Sequence, residues 1–290
     1  MGKANLKIVL IKMYKEFSLC WVVALKAEAK EIINQYKLYS FDHEGPFPIY
    51  KNKDQDIWLT ISGIGQVNSA AACMFLFLKS NVPPWSIWVN IGIAGFEEKI
   101  GGLFKIDKII SDSNKYNYYP SRVTKNKIPS ATLLTVDKAQ TNYSKEYMVD
   151  MEGSAFFQTV SKITSHELIV IIKIVSDNSK NKLENINSGK IENLFKNNFS
   201  SIKECLLEYL KLSQDEYKRK RLTIEYYELI SLFNFSETQK HLLKDLTKKW
   251  ASIFPNKNLI EVIKKCNEGK SAIEKLKYLI NENVIDWGKN

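Results

Sequence analysis

Three carboxylates stand where a proton-transfer site could be built. Glu28 follows an apolar run ending at Leu25, Glu152 opens a helical stretch in Asp150-Met151-Glu152-Gly153, and Asp177 follows Val175-Ser176. In doubly wound α/β sheets, ligands sit beyond the carboxyl ends of the strands. Carboxyl groups gathered there can give, take or position protons. Two glycine-containing turns are expected in similar places, Gly63-Ile64-Gly65 and Gly92-Ile93-Ala94-Gly95. Taken singly, each feature has a plainer reading. An acid near a helix start caps it or answers its dipole. Asp177-Asn178-Ser179 is also turn chemistry. A Gly-x-Gly lacking the full dinucleotide fingerprint can reflect only a tight turn.

Other chemistries are disfavoured by composition. Cys20, Cys73, Cys205 and Cys266 form no CxxC pair, and His43, His166 and His241 are scattered, so no metal site is expected and no cofactor is called for. The cysteines read as reduced core residues of a cytosolic chain. The formal charge is +10, but only Arg122, Arg219 and Arg221 are arginine among 42 basic residues. Base readout and bidentate phosphate recognition favour the planar guanidinium, so nucleic acid is not the expected partner. The apolar run from Leu6 to Met13 is broken by Lys7 and Lys12 and lacks a small-residue cleavage site, which argues against a signal peptide. No uninterrupted stretch reaches membrane-spanning length.

The elements that must position the carboxylates alternate between strand and helix. Strands are expected at Trp21–Leu25, Ile57–Ile61, Ile87–Ile91, Ile106–Ile110, Ala131–Val136 and Leu168–Val175. The last is apolar except for Lys173, as suits a strand covered on both faces. Helices are expected at Ala29–Tyr36 and from Asn68 through Leu78, and Asn114–Ile128 reads as a polar, tyrosine-rich loop. The pattern predicts a three-layer αβα sandwich around a mixed sheet over residues 1–212. From 213 to 290 the texture becomes wholly helical, with a capping box at Ser236 and Gln239 and an apolar face at Leu242, Leu243, Leu246 and Trp250. Pro255 should stop that helix, and Asn258 should cap the next. Lys218–Arg221 reads as a solvated charge run.

Five short segments in order give the constellation a wider meaning. They are Val22-Val23-Ala24-Leu25-Lys26-Ala27-Glu28, Ser62-Gly63-Ile64-Gly65-Gln66-Val67-Asn68, Asn90-Ile91-Gly92-Ile93-Ala94-Gly95, Asp150-Met151-Glu152 and Val175-Ser176-Asp177. Together they resemble the nucleoside phosphorylase / methylthioadenosine–adenosylhomocysteine nucleosidase superfamily over residues 20 to 210. The resemblance implies cleavage of the N-glycosidic bond of a purine nucleoside or derivative. It makes Asp177 the acid that serves the purine N7, and Glu28 the carboxylate that positions and deprotonates water. It makes Glu152 the binder of the ribose hydroxyls, with Met151 against the sugar. Gly92, Ile93, Ala94 and Ser176 should border the substrate. A homo-oligomer is also implied.

The match has departures that shape the reading. Phosphorylases of the superfamily usually carry Gly-Asp-Pro-x-Arg in the first loop, where this chain has Lys26-Ala27-Glu28. Water is therefore the expected nucleophile. Phosphate held by Lys26 or Lys30 is the alternative, and a non-catalytic nucleoside sensor is a third reading. Ile93 replaces a small hydroxyl-bearing residue. Ala139 and Gln140 fall where an aromatic would stack on the base, leaving Phe156, Phe157, Tyr116, Tyr118 and Tyr119 as candidates for that task.

Overall fold

Runs rich in Ile, Val and Trp become strands because their branched and aromatic side chains pack well on a pleated surface. In the computed structural model, which describes residues 17–125 and 127–283, β1 (Leu19–Val23), β4 (Ile57–Ile61) and β10 (Ile169–Asp177) are buried at every position. The run Leu6–Met13 lies outside the described residues. The remaining strands are β2 (Tyr39–Asp42), β3 (Ile49–Lys51), β5 (Ile87–Gly95), β6 (Leu103–Ser111), β7 (Asn117–Tyr118), β8 (Ser130–Thr135) and β9 (Tyr147–Asp150). They form one mixed sheet in the order β10-β6-β8-β9-β5-β1-β4-β3-β2, with β7 beside β6. β5 lies parallel to both β1 and β10, while β9 meets β5 antiparallel at Gly95 and Val149. Because β10 also pairs with β6, strands β5, β10, β6, β8 and β9 close a ring around the site.

The period of two along each strand sorts the core into two layers. Val170, Ile172 and Ile174 of β10, with Trp21, Leu59 and Val89, meet α1 (Lys26–Gln35) and the long α4 (Ser188–Lys220). Ile169, Ile171 and Val175, with Val22, Trp58 and Trp88, meet α2 (Gln66–Ser80) and α3 (Gly153–Val160). The αβα layering expected from the sequence is thus present. Lys173 falls on the second of these faces, alone among apolar neighbours on its strand.

The chain divides into two compact units, 1–219 and 220–290. The texture changes at 213 in the sequence, but α4 continues without a break to Lys220, because Ser213 still docks by donating to the Trp85 carbonyl at 2.6 Å. At the end of that helix Lys218 pairs with Asp215 and Arg219 with Glu216, one turn back. The second unit comprises α5 (Ile224–Leu232), α6 (Glu237–Ile253), α7 (Leu259–Ile263) and α8 (Gly269–Asn281). Its core holds Leu243, Leu246, Trp250, Leu259, Ile263, Ile273, Leu276 and Ile280. The capping box is made: Ser236 Oγ accepts from Gln239 N at 3.3 Å, and Gln239 Oε1 accepts from Ser236 N at 2.8 Å. Asn258 caps α7 by accepting from Ile260 N. Among the described residues no helix is long and apolar enough to cross a membrane.

Candidate active site

The carboxyl ends of β1, β4, β5, β9 and β10 meet around a cavity of about 200 Å³. Glu28, Met151, Glu152, Ser176 and Asp177 all border it, as do Ile93 and Ala94. The volume is below the ~300–1,000 Å³ usual for drug-sized ligands, which suits a small polar metabolite. An open depression of about 690 Å³ shares Ser176 with it but is lined mainly by lysine, asparagine and glutamate, and contains none of the three carboxylates.

Glu28 sits in the first turn of α1, where the sequence allowed a simple cap. It does cap, since its Oε2 accepts from Ala24 N and Leu25 N, both at 2.9 Å. Its Oε1 also reaches across to β5 and accepts from Ile93 N at 2.9 Å. Burial pushes its pKa above the ordinary value despite those N–H donors and the nearby Lys173 ammonium. Gly92 does not border the cavity, and residues 92–95 belong to β5 rather than to a turn. A Cβ on Gly92 would stand 3.0 Å from Glu28 Oε1, so the strand needs glycine for the carboxylate to approach it. The backbone N–H of Ile93 is spent on Glu28 and does not face the substrate space unpaired.

Glu152 occupies the N-cap position of α3, and its Oε1 accepts from Gly65 N at 2.7 Å. Gly63 and Gly65 have φ of 77° and 104°, a left-handed turn that aims this N–H at the carboxylate. Burial, then the Asp150 charge, raises the Glu152 pKa to about 7, against the pull of Lys173 and Gly65. Asp177 ends β10 at an irregularity in register between Val175 and Asp177. Ser176 Oγ donates to Asp177 Oδ1, and Phe96 N holds the Asp177 backbone carbonyl at 3.0 Å.

Two residues that sequence reasoning left without a role tie these acids together. Lys173 is 1% exposed, and its Nζ lies 2.7 Å from Asp150 Oδ2. Asp150 also accepts from Thr135 Oγ1 at 2.7 Å and Gly153 N at 2.8 Å. Burial pulls the Lys173 pKa down, but Asp150, Glu152 and Glu28 together hold it above its ordinary value. The signal was present in the sequence as the one charge in an apolar strand covered on both faces. Such a charge needs a buried partner.

Other expectations are corrected. Phe156 and Phe157 are in the core with α3, Tyr118 packs on Phe157 at 5.9 Å, and Tyr116 and Tyr119 are exposed, so none borders the cavity. Ala139 and Gln140 do border it, and the aromatic beside Asp177 is Tyr143. Lys26 and Lys30 line a separate groove, with Lys30 paired to Glu192 at 2.6 Å, and Arg122 pairs with Asp107.

Two outcomes follow from these electrostatics. Lys173→Met leaves the Asp150 charge buried without its cation and should cost about 3–5 kcal/mol in urea unfolding, much of it recovered by adding Asp150→Asn. Glu152 keeps its proton in the folded chain up to about pH 7, against an ordinary 4.5. Its stabilising contribution is therefore present below about pH 4.5 and is lost as pH rises towards 7. Urea midpoints measured across that window should fall with pH in the wild type and fall less in Glu152→Gln.

No protein-family profile and no curated protein matches the chain. Solved structures do. The 5'-methylthioadenosine/S-adenosyl homocysteine nucleosidase of Campylobacter jejuni aligns with a TM-score of 0.53 at 17% identity, covering 68% of this chain and 99% of that one. The Helicobacter pylori nucleosidase of the same name, complexed with a pyrrolo-pyrimidinyl pyrrolidinol, gives 0.53 at 15% identity over 66% and 100%. A futalosine hydrolase mutant of Helicobacter pylori strain 26695 gives 0.51 at 13% identity over 66% and 99%. At these identities the likeness is one of architecture: about two thirds of this chain carries the fold of these nucleosidases.

Proposed function

We propose that this chain hydrolyses the N-glycosidic bond of a purine nucleoside or nucleoside derivative. The observation that carries the reading is the convergence of three buried carboxylates, Glu28, Glu152 and Asp177, on one small cavity. In this reading Glu28 holds a water against C1′ of the sugar. Water oxygen bonds to C1′, its proton passes to Glu28, and the C1′–N9 bond breaks with its electron pair going to the base. Asp177 delivers a proton to N7, so the base leaves neutral. The raised pKa of Glu28 makes it a stronger base than an exposed glutamate. Glu152 takes the ribose hydroxyls and, in the ionised form it adopts above about pH 7, offers negative charge to the cationic sugar of the transition state.

Water is favoured over phosphate by what borders the cavity. Among the described residues its wall contains no arginine and no lysine, whereas phosphate wants a guanidinium fork or several converging donors. Lys173 is committed to Asp150. The neighbours of similar fold are nucleosidases and a hydrolase by name, which supports the same choice. Buried Cys73 and Cys205, outside any disulfide, support a reducing compartment.

A homo-oligomer is supported by the surface beside the cavity. Val67, Ala71, Met74 and Leu78 recur at helical spacing on α2 and are exposed, in line with Ile64, which is exposed and borders the cavity. Such a stripe marks a face that a second copy would cover.

Two measurements test the reading. Purified protein incubated with a panel of purine nucleosides should release free base without phosphate, and Asp177→Asn and Glu28→Gln should each cut kcat by about 10²–10⁴. Release that requires phosphate would make the chain a phosphorylase, and binding without release would make it a sensor. By light scattering the wild type should be a dimer or larger, and Val67→Asp with Leu78→Lys should give monomers. A wild type that is monomeric at micromolar concentration would remove the oligomer from the account.

A further inference from the structure

Beyond the carboxyl ends of the parallel neighbours β5 and β10 lies a second space. It is the open depression of about 690 Å³, and Ser176 borders both it and the cavity. One wall follows β5 and the other follows β10, and hydrogen bonds tie the two together. Asn178 Nδ2 donates to the Glu98 carbonyl at 2.8 Å, and Ser179 N and Oγ donate to the Glu97 carboxylate at 3.1 and 2.5 Å. Asn178 Oδ1 accepts from Lys180 N at 3.1 Å and from Asn181 N at 2.9 Å, which sets the backbone that carries Lys180. Half-buried Ile100 and Ile186 give the depression an apolar part.

The rim is unbalanced in charge. Lys99, Lys180, Lys182 and Lys190 border it against Glu97 and Glu98. Glu97 is engaged by Ser179, and Lys180 faces it without pairing. Lys190 Nζ donates to the Asn185 carbonyl at 2.8 Å, from the first turn of α4, whose dipole adds positive charge at that end. Lys99, Lys180 and Lys182 are exposed and form no salt bridge among the described residues. Ammonium groups on flexible stems around one open space take an anion as point charges.

We propose that this depression is a subsite for an acidic group on a short arm from the base, so that the substrate is a purine nucleoside with an anionic substituent at C6. This rests on the reading of Asp177 as the acid that serves N7. Ser176 Oγ donates to Asp177 Oδ1, so the two spaces meet at the base end of the site. N7 and the C6 substituent share one edge of a purine, and a substituent beside Asp177 therefore leads towards Ser176. The cavity of about 200 Å³ leaves little room beyond the nucleoside, given the ~300–1,000 Å³ usual for larger ligands. An arm on C6 must leave it, and the depression offers Ile100 and Ile186 to its methylenes and the lysines to its acid.

Adenosine carrying a succinyl group on N6 should be compared with its dimethyl ester, which keeps the arm and loses the charge. The readout is KM where base is released and the calorimetric Kd in any case. The acid should be taken about tenfold more tightly than the ester, with the gap shrinking at high salt. Lys180→Gln with Lys182→Gln should bring acid and ester to within about twofold and leave unmodified adenosine unaffected. Equal affinities in the wild type, or a gap untouched by the two lysine changes, would overturn the subsite. Adenosine with a carboxylate at C5′ should gain nothing over its methyl ester, and an equal gain there would overturn the assignment to the base. If no compound loses its base, the nucleosidase reading falls, while the dissociation constants still decide the subsite.

Discussion

The structure around the cavity depends on one buried ammonium. Lys173 stands in the middle of β10, sealed from water, and answers Asp150 directly with Glu152 and Glu28 close behind. An isolated charge at that depth would be prohibitive. The pair is tolerable because Asp150 also takes the Thr135 hydroxyl on Oδ1 and the Gly153 N–H on Oδ2, so both of its oxygens are engaged. Those partners come from β8 and the start of α3, and Asp150 itself ends β9. One ion pair thus pins three segments to β10 and sets where Glu152 emerges. Gly92, opposite Lys173 in register, leaves the space through which Glu28 joins the group.

The chemistry follows from the imbalance of that cluster. Three carboxylates, Glu28, Asp150 and Glu152, share one ammonium. The surplus is relieved in the resting state by a proton that Glu152 keeps up to about pH 7. A sugar that turns cationic at its anomeric carbon would supply the missing positive charge at the moment it is needed. Stabilisation confined to the transition state is what accelerates a reaction, since charge that binds the neutral substrate equally well gains nothing in kcat. Every residue bordering the cavity lies in the unit 1–219, so this reading requires nothing of the helical unit 220–290.

Much of this was legible in the sequence, for local reasons. The strands β1, β4, β5, β6, β8 and β10 announce themselves as apolar runs, and Ser236 and Asn258 cap where their side chains dictate. Glu28, Glu152 and Asp177 could be picked out because the ends of strands are where α/β folds gather polar groups. What escaped notice is nonlocal. The edge strands β2 and β3 are short and half-exposed, β9 has only four residues, and the closure of the ring rests on pairings between strands far apart in the chain. Gly92–Gly95 looked like a turn because glycine permits one, yet it is strand, thinned to admit Glu28 and Tyr143. Lys173 was visible as an anomaly, but its partner lies 23 positions away on another strand. Tyr143 sits in a polar loop, and nothing in its neighbours points to Asp177.

The most direct test of this electrostatic account is the affinity of a cationic sugar mimic. A purine carrying a protonated pyrrolidine in place of ribose should be compared, by calorimetry, with the matching neutral ribose compound. The account predicts that the cation binds more tightly, with the gap narrowing when Glu152 is changed to Gln. Equal affinities, or a gap untouched by that change, would contradict the claim that the cluster around Lys173 is built to receive positive charge.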